Sequence, residues 1–297
     1  MGKDDQPGST LPRRQLGRAL REAREGAGFT LERAAQLMEM GKTSVGRIEK
    51  GQNDKVRLRD VEAFGNLYGL GEDQIEQLKV LAQQTPTKSW WQASRQLFLR
   101  GFHTYLGLES GASQLSFYQP MIVPGLLQSS EYVKAVERPF LPGDTQEDVD
   151  SRVALRLQRA AILTRQRSPI SAEFVLHESV LHTIVGSPAV MAGCLRHVAD
   201  MSTLANVFVR ILPFTAGFPW DGTPVLPYII LDFPAGSGGF GAEPSVVYTE
   251  NTIGTMFFED DDDVRRYREI HETIWCVALE EQASRDLLRQ VARRYER

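Results

Sequence analysis

The 297-residue chain has only two cysteines, Cys194 and Cys276. Two thiols cannot supply a zinc or iron–sulfur ligand set by themselves. Each falls within a helical pattern, and both are expected to be buried thiols in a reducing compartment. No uninterrupted apolar run approaches membrane-spanning length, and the opening MGKDDQPGST lacks the apolar segment of a secretion signal. The expectation is a cytoplasmic protein with no membrane contact. Catalytic signatures are also missing. His103, His177, His182, His197 and His271 are scattered, with no HExxH or paired-ligand spacing, and the serines sit in no GxSxG elbow. Residues 236–241, GSGGFG, lack the Lys-Ser/Thr and the following helix that a phosphate-binding loop needs, so they read as a strand connection. The acidic run 259–263, EDDDD, precedes a helix at Val264, where carboxylates suit the positive end of the helix dipole. No catalytic residue, metal site or cofactor follows from these patterns, and the expected class is not an enzyme.

What is present begins at Thr30–Gly51. Leu31, Ala34, Ala35 and Met38 recur at helical spacing before a short break, and Val45 and Ile48 recur after it. Met40-Gly41 at the break suits a tight turn, because glycine accepts a positive φ without steric cost. Gly51 then terminates the second helix, and the whole reads as a helix-turn-helix. Burial of Val45 and Ile48 turns Lys42, Thr43, Ser44 and Arg47 outward, where such side chains can read a DNA groove. Lys50, Lys55 and Arg57 follow and suit phosphate.

The net charge of −4 is unevenly spread. Between Ser9 and Arg59 twelve Lys/Arg face six Asp/Glu, so that window carries +6 and the remainder −10. A basic module on an acidic body allows a local DNA contact, since salt screens distant charges. Helix 1 is expected from about Arg13 to Gly26, with Leu16, Leu20 and Ala23 inward. Thr30 is a plausible N-cap for helix 2. A fourth helix carries Leu58, Val61, Phe64, Leu67 and Tyr68 and ends at Gly69. A fifth, from about Glu72 to Gln83, carries Ile75, Leu78 and Leu81. Gln84-Thr85-Pro86-Thr87 marks the domain boundary.

The run Met38–Gly46 resembles the turn and recognition helix of lambda-type repressors, and Arg47-Ile48-Glu49-Lys50-Gly51 is similar to the ending found across the Xre family. Leu31 stands where that family often has a glutamine that fixes the recognition helix on DNA, a bond leucine cannot make. The resemblance also implies that Glu49 pairs with Arg24 on helix 1, with the guanidinium directed toward phosphate.

The second half mixes periods. Strands are expected at 114–120, 172–178, 206–213, 226–233, 245–250 and 255–259. Helices are expected at Asp148–Arg167, 187–205, Asp262–Leu279 and Gln282–Glu296. Arg152, Arg156, Arg159, Arg165 and Arg167 read as a solvated helix face that pairs with this half's acids. Trp90, Trp91, Phe98 and Phe102 precede it on an amphipathic stretch, a source of dimer contacts. The fold class is therefore α+β: an all-α lambda-repressor-like domain at 1–88, then a mixed α/β domain at 89–297.

Tyr118-Gln119-Pro120, Val123 through Gln128, Glu131-Tyr132, His177-Glu178, Ile211 through Phe214 and Val246 through Glu250 are similar to a signature of actinobacterial Xre-type regulators whose C-terminal domain has no established function. That resemblance implies a regulator, often encoded beside a small partner protein in an antitoxin-like arrangement. The expected function is sequence-specific reading of double-stranded DNA by a homodimer regulated through the C-terminal domain. Two alternatives stand beside it: an antitoxin-like protein that holds a small partner, and a small-molecule-binding enzyme fused to a helix-turn-helix.

Overall fold

The computed structural model describes residues 11–53, 55–84, 102–137, 145–165, 169–234, 243–251 and 254–296. Trp90, Trp91, Phe98, Arg167, the Thr85-Pro86-Thr87 boundary and the 236–241 glycine run lie outside them. The chain divides into two compact units. The first comprises Met1–Ala93, Arg100–Gly111 and Phe233–Pro244, and the second Ser94–Leu99, Ala112–Asp232 and Ser245–Arg297. The first unit is thus not contiguous in sequence and takes in chain beyond the 1–88 span.

Five helices open the first unit: α1 (Leu11–Gly26), α2 (Leu31–Leu37), α3 (Lys42–Glu49), α4 (Leu58–Leu67) and α5 (Glu72–Gln84). Leu16, Leu20, Ala34, Ala35, Val45, Ile48, Val61, Phe64, Tyr68 and Leu78 form one buried core. Thr30 caps α2, its Oγ1 accepting from the Arg33 amide at 3.1 Å. Leu58 departs from expectation and is exposed. It opens α4 directly after the extended Arg57, where the first turn faces water. A sixth helix, α6 (Phe102–Gly111), adds buried Tyr105, Leu106 and Leu108.

The second unit is built on one six-stranded sheet in the order β3-β2-β1-β4-β5-β6. Its strands are β1 (Gln114–Gln119), β2 (Ser171–His177), β3 (Val207–Leu212), β4 (Tyr228–Asp232), β5 (Val246–Glu250) and β6 (Thr255–Phe258). β1, β2 and β3 are parallel, and β4, β5 and β6 add antiparallel neighbours. Parallel strands need long crossovers. α7 (Ser130–Val136) and α8 (Gln146–Ala160) supply the first, and α9 (Ser179–His182) and α10 (Pro188–Met201) the second. α11 (Asp261–Val277) packs across β3, β4 and β5, and α12 (Glu281–Arg294) against β3 and α10. Tyr118, Val175, Leu212, Tyr228, Ile230 and Val247 form one core with Val264, Ile270 and Ile274 of α11. On the opposite strand faces, the rings of Phe117 and Phe174 stack at 4.6 Å. The β3 edge is covered: the Ile211 amide donates to Ser284 Oγ and its carbonyl accepts from the Leu279 amide, both at 2.9 Å. Asp260 caps α11 by accepting from the Asp262 amide, so the acidic run opens that helix as expected.

Four readings of this half need correction. α8 ends at Ala160 rather than Arg167 and tightens into a 3₁₀ turn over Ala161–Leu163. The side-chain amide of Asn206 then takes the Leu163 carbonyl at 2.9 Å, so the helix need not continue to satisfy it. Leu157 is exposed, because Arg152, Val153, Leu155 and Arg159 occupy the buried face of α8. Arg152 and Arg159 are therefore not a solvated face. Glu137, itself buried, takes the Arg152 Nε at 2.7 Å and the Arg156 Nε at 2.5 Å. Burial lowers the Arg156 pKa, with Glu137 opposing the shift. Finally, Cys194 is buried, its thiol pushed up to about 11 by desolvation, but Cys276 is exposed. It lies on the outer side of α11, next to Trp275, which lines the sheet-facing core.

Candidate nucleic-acid interface

The candidate reading element is α3, the second helix of the helix-turn-helix pattern. Val45 and Ile48 anchor it in the bundle core, leaving Lys42, Thr43 and Ser44 exposed and Arg47 half-buried. The turn before it differs from expectation. Gly41 is extended (φ −68°) and serves as the N-cap of α3, while the positive φ, 52°, belongs to Glu39. The left-handed residue falls there because α2 ends at the Met38 C-cap. The Glu39 and Met40 amides then bond back to the Gln36 and Ala35 carbonyls.

Gly51 is required twice over. Its φ is +62°, and its own amide and that of Gln52 donate to the Ile48 and Arg47 carbonyls at 2.9 and 2.8 Å, the paired bonds of a Schellman cap. A side chain there would also come within 2.9 Å of the Arg13 carbonyl oxygen. The chain then passes into a segment where Lys55 and Arg57 are exposed, as is Lys50 at the end of α3.

α1 holds this arrangement in place along one stripe, Arg13, Gly17, Leu20 and Arg24, spaced to share a helix face. Arg13 Nη1 reaches the Asn53 carbonyl at 3.5 Å. Gly17 lets the helices close: a Cβ there would lie 2.5 Å from the Ile48 carbonyl oxygen. Arg24 grips Glu49 in fork geometry, Nε to Oε1 at 2.7 Å and Nη2 to Oε2 at 3.0 Å. Its Nη1 donates to the Phe29 carbonyl at 2.8 Å. The bond to Glu49 raises the Arg24 pKa. The expected pair is present, but all three guanidinium nitrogens are bonded internally and the side chain is only 9% exposed. Arg24 therefore ties α1 to the end of α3, with its guanidinium turned inward rather than projecting from the surface.

Two features carried no sequence signal. Lys42 pairs with Glu32 of α2, which lowers the Glu32 pKa. On the neighbouring stripe of α1, Arg14 Nε donates to Glu243 Oε1 at 3.0 Å and Arg18 Nη2 lies 3.5 Å from Glu243 Oε2. The partners lie 229 residues apart (Arg14 to Glu243), so no local pattern could join them. Among the described residues, no group of three His, Cys, Asp or Glu side chains is placed to hold a metal ion. No described helix is long and apolar enough to cross a membrane.

Residues 102–290 match the family described as a domain of unknown function, DUF5753. The chain belongs to that family. Residues 15–78 separately match a helix-turn-helix domain, the span from α1 into α5 that frames the reading element. Searches of curated proteins and of solved structures return no match. The DUF5753 match begins at α6 and includes Glu243, so two stretches of this family's domain, α6 and Phe233–Pro244, belong to the first compact unit.

Proposed function

We propose that this DUF5753 chain is a sequence-specific DNA-binding transcriptional regulator of the Xre type, binding rather than turning over its ligands. The observation that carries the reading is α3. Its apolar side is fixed in the bundle, and its outward side presents Lys42, Thr43 and Ser44 with half-buried Arg47 beside them, followed by Lys50, Lys55 and Arg57. Lysine and arginine suit guanine O6/N7 in the major groove, and the later cations suit phosphate. Arg24 acts in this reading by fixing Glu49 and the end of α3.

The test is selection of duplexes from a random pool by the full chain, followed by binding of variants. Arg47→Ala lowers the operator-versus-random ratio, by about 1–3 kcal/mol if a bidentate base contact is lost. Lys55→Ala weakens all sequences together and flattens the salt dependence. An unchanged ratio in Arg47→Ala removes the assignment. One helix-turn-helix reads too few base pairs to select a site, so the working form is a homodimer with reading helices about 34 Å apart. Sedimentation of the full chain at micromolar concentration checks this, and a monomer that still selects an operator refutes it.

A partner-holding role is a second reading, supported by exposed apolar side chains that the topology places toward one end of the sheet of the second unit. Met121, Ile184, Phe214, Phe218 and Leu226 are 62%, 56%, 54%, 60% and 76% exposed. They follow the carboxyl ends of β1, β2 and β3 or precede β4, whose first residue pairs with Tyr118 near the carboxyl end of β1. Large exposed apolar side chains gathered at one place mark interaction sites, and these share one end of the sheet in the topology. A small protein that co-purifies with the chain from native cells and is lost in Phe214→Ser/Leu226→Ser supports this role. Unchanged capture by that variant removes this surface from it.

A further inference from the structure

We infer that Glu243 is a positioning residue for DNA reading, a point at which the DUF5753 region holds the recognition helix in place. The inference rests on the helix-turn-helix being the DNA reader. Three observations carry it. Glu243 is 3% exposed at its side chain and lies against two guanidiniums, Arg14 at 3.0 Å and Arg18 at 3.5 Å, which are 14% and 21% exposed. A carboxylate this far from water is stable only when paired, and here both partners sit on α1. Arg14 and Arg18, four residues apart, share one stripe of that helix, and the adjoining stripe is Arg13, Gly17, Leu20 and Arg24. That second stripe meets the Ile48 and Glu49 carbonyls, the Glu49 carboxylate and the Asn53 carbonyl. Glu243 therefore fixes the rotation and axial position of the helix against which α3 ends. It also fixes the helix that holds Asn53, two residues before Lys55.

The packing along that adjoining stripe of α1 is too close to absorb a shift. Ideal Cβ atoms at Gly17 and Gly51 would approach backbone atoms of Ile48 and Arg13 to 2.5 and 2.9 Å. Displacement of α1 moves the end of α3 instead of being taken up by soft side chains. A segment belonging to the family domain thus has mechanical access to the reading element, through a pair of ion contacts that carry no sequence information themselves.

The test uses the full-length chain and a duplex that the wild type enriches from a random pool. Glu243→Gln keeps the shape and removes the charge. Binding is measured well below the melting temperature of each variant, so that only folded protein is compared. The expected result is operator affinity lowered about fivefold or more, the lower end of typical site-to-site couplings. The salt slope should be unchanged, because no phosphate contact is lost. Arg14→Gln/Arg18→Gln gives a comparable loss, and adding Glu243→Gln to it gives little more, since the three side chains act as one joint. Wild-type affinity in Glu243→Gln overturns the inference. So does an affinity gain with a steeper salt slope, which makes Glu243 a simple screen of positive charge. Additive losses overturn it as well. If the wild type enriches no duplex, the DNA-reading function falls first and this inference with it.

Discussion

Two arginine–glutamate joints in this protein share chemistry but not legibility. Arg24–Glu49 in the first unit and Arg152–Glu137 in the second each place Nε 2.7 Å from a carboxylate oxygen. Side-chain exposures are 9% and 6% for the first pair and 3% and 4% for the second. Glu49 is held by the one guanidinium of Arg24 through two hydrogen bonds. Glu137 serves two arginines, with Arg156 also against it at 2.5 Å. Arg24–Glu49 is expected because the resemblance to Xre-type folds implies that pair. Arg152–Glu137 joins α8 to the end of α7, elements whose mutual packing no spacing announces. A buried arginine is thus identified by what meets its helix, and the helical pattern alone makes it look like a solvated charge.

The largest expected effect is at the second joint. Glu137→Ala leaves Arg152 buried without this carboxylate and removes the neighbour of Arg156, a loss of about 3–5 kcal/mol. Chemical denaturation of the full chain measures it, and a loss below about 1 kcal/mol, as for an exposed pair, removes the distinction from a solvated face. Glu49→Ala is expected to cost less, about 2–3 kcal/mol, because only charged hydrogen bonds from one guanidinium are lost. It should also weaken operator binding, whereas Glu137→Ala leaves the affinity of folded protein unchanged. Equal effects of the two on DNA affinity break the comparison. Gly17→Ala tests the close approach that the first joint sustains. Its Cβ would meet the Ile48 carbonyl at 2.5 Å, so overpacking of about 1–3 kcal/mol is expected, visible as a lower Tm. The smallest effect is chemical. Exposed Cys276 is alkylated in the native protein, whereas Cys194 reacts only on unfolding, being buried with its thiol held up to about 11. Mass spectrometry of trapped peptides decides it, and early modification of Cys194 contradicts its burial.

Legibility followed the range of the interaction. All six strands and the principal helices of the second half were visible as periods of two or 3.6 in the chain, because alternation and helical spacing are set by neighbours. The Thr30 cap was visible for the same reason. The turn before α3 was misplaced by two residues, since a glycine marks where a positive φ is cheap and not where the chain adopts one. Here Glu39 adopts it and Gly41 caps the next helix. Among the candidate site residues, Lys42, Thr43, Ser44, Lys50, Lys55 and Arg57 are exposed as the pattern implied. Arg24 is not, because its guanidinium is taken up by Glu49 and the Phe29 carbonyl.

The sequence by itself determined the helix-turn-helix, the basic N-terminal window and the order of strands and helices along the chain, all of which rest on local spacing and charge. Tertiary structure alone decided the sheet order β3-β2-β1-β4-β5-β6, the burial of Arg152 and Arg159, and the attachment of Glu243 to α1. These depend on residues tens to hundreds of positions apart, whose meeting is fixed by which apolar faces cover one another. The charges then pair with whatever that packing brings within reach.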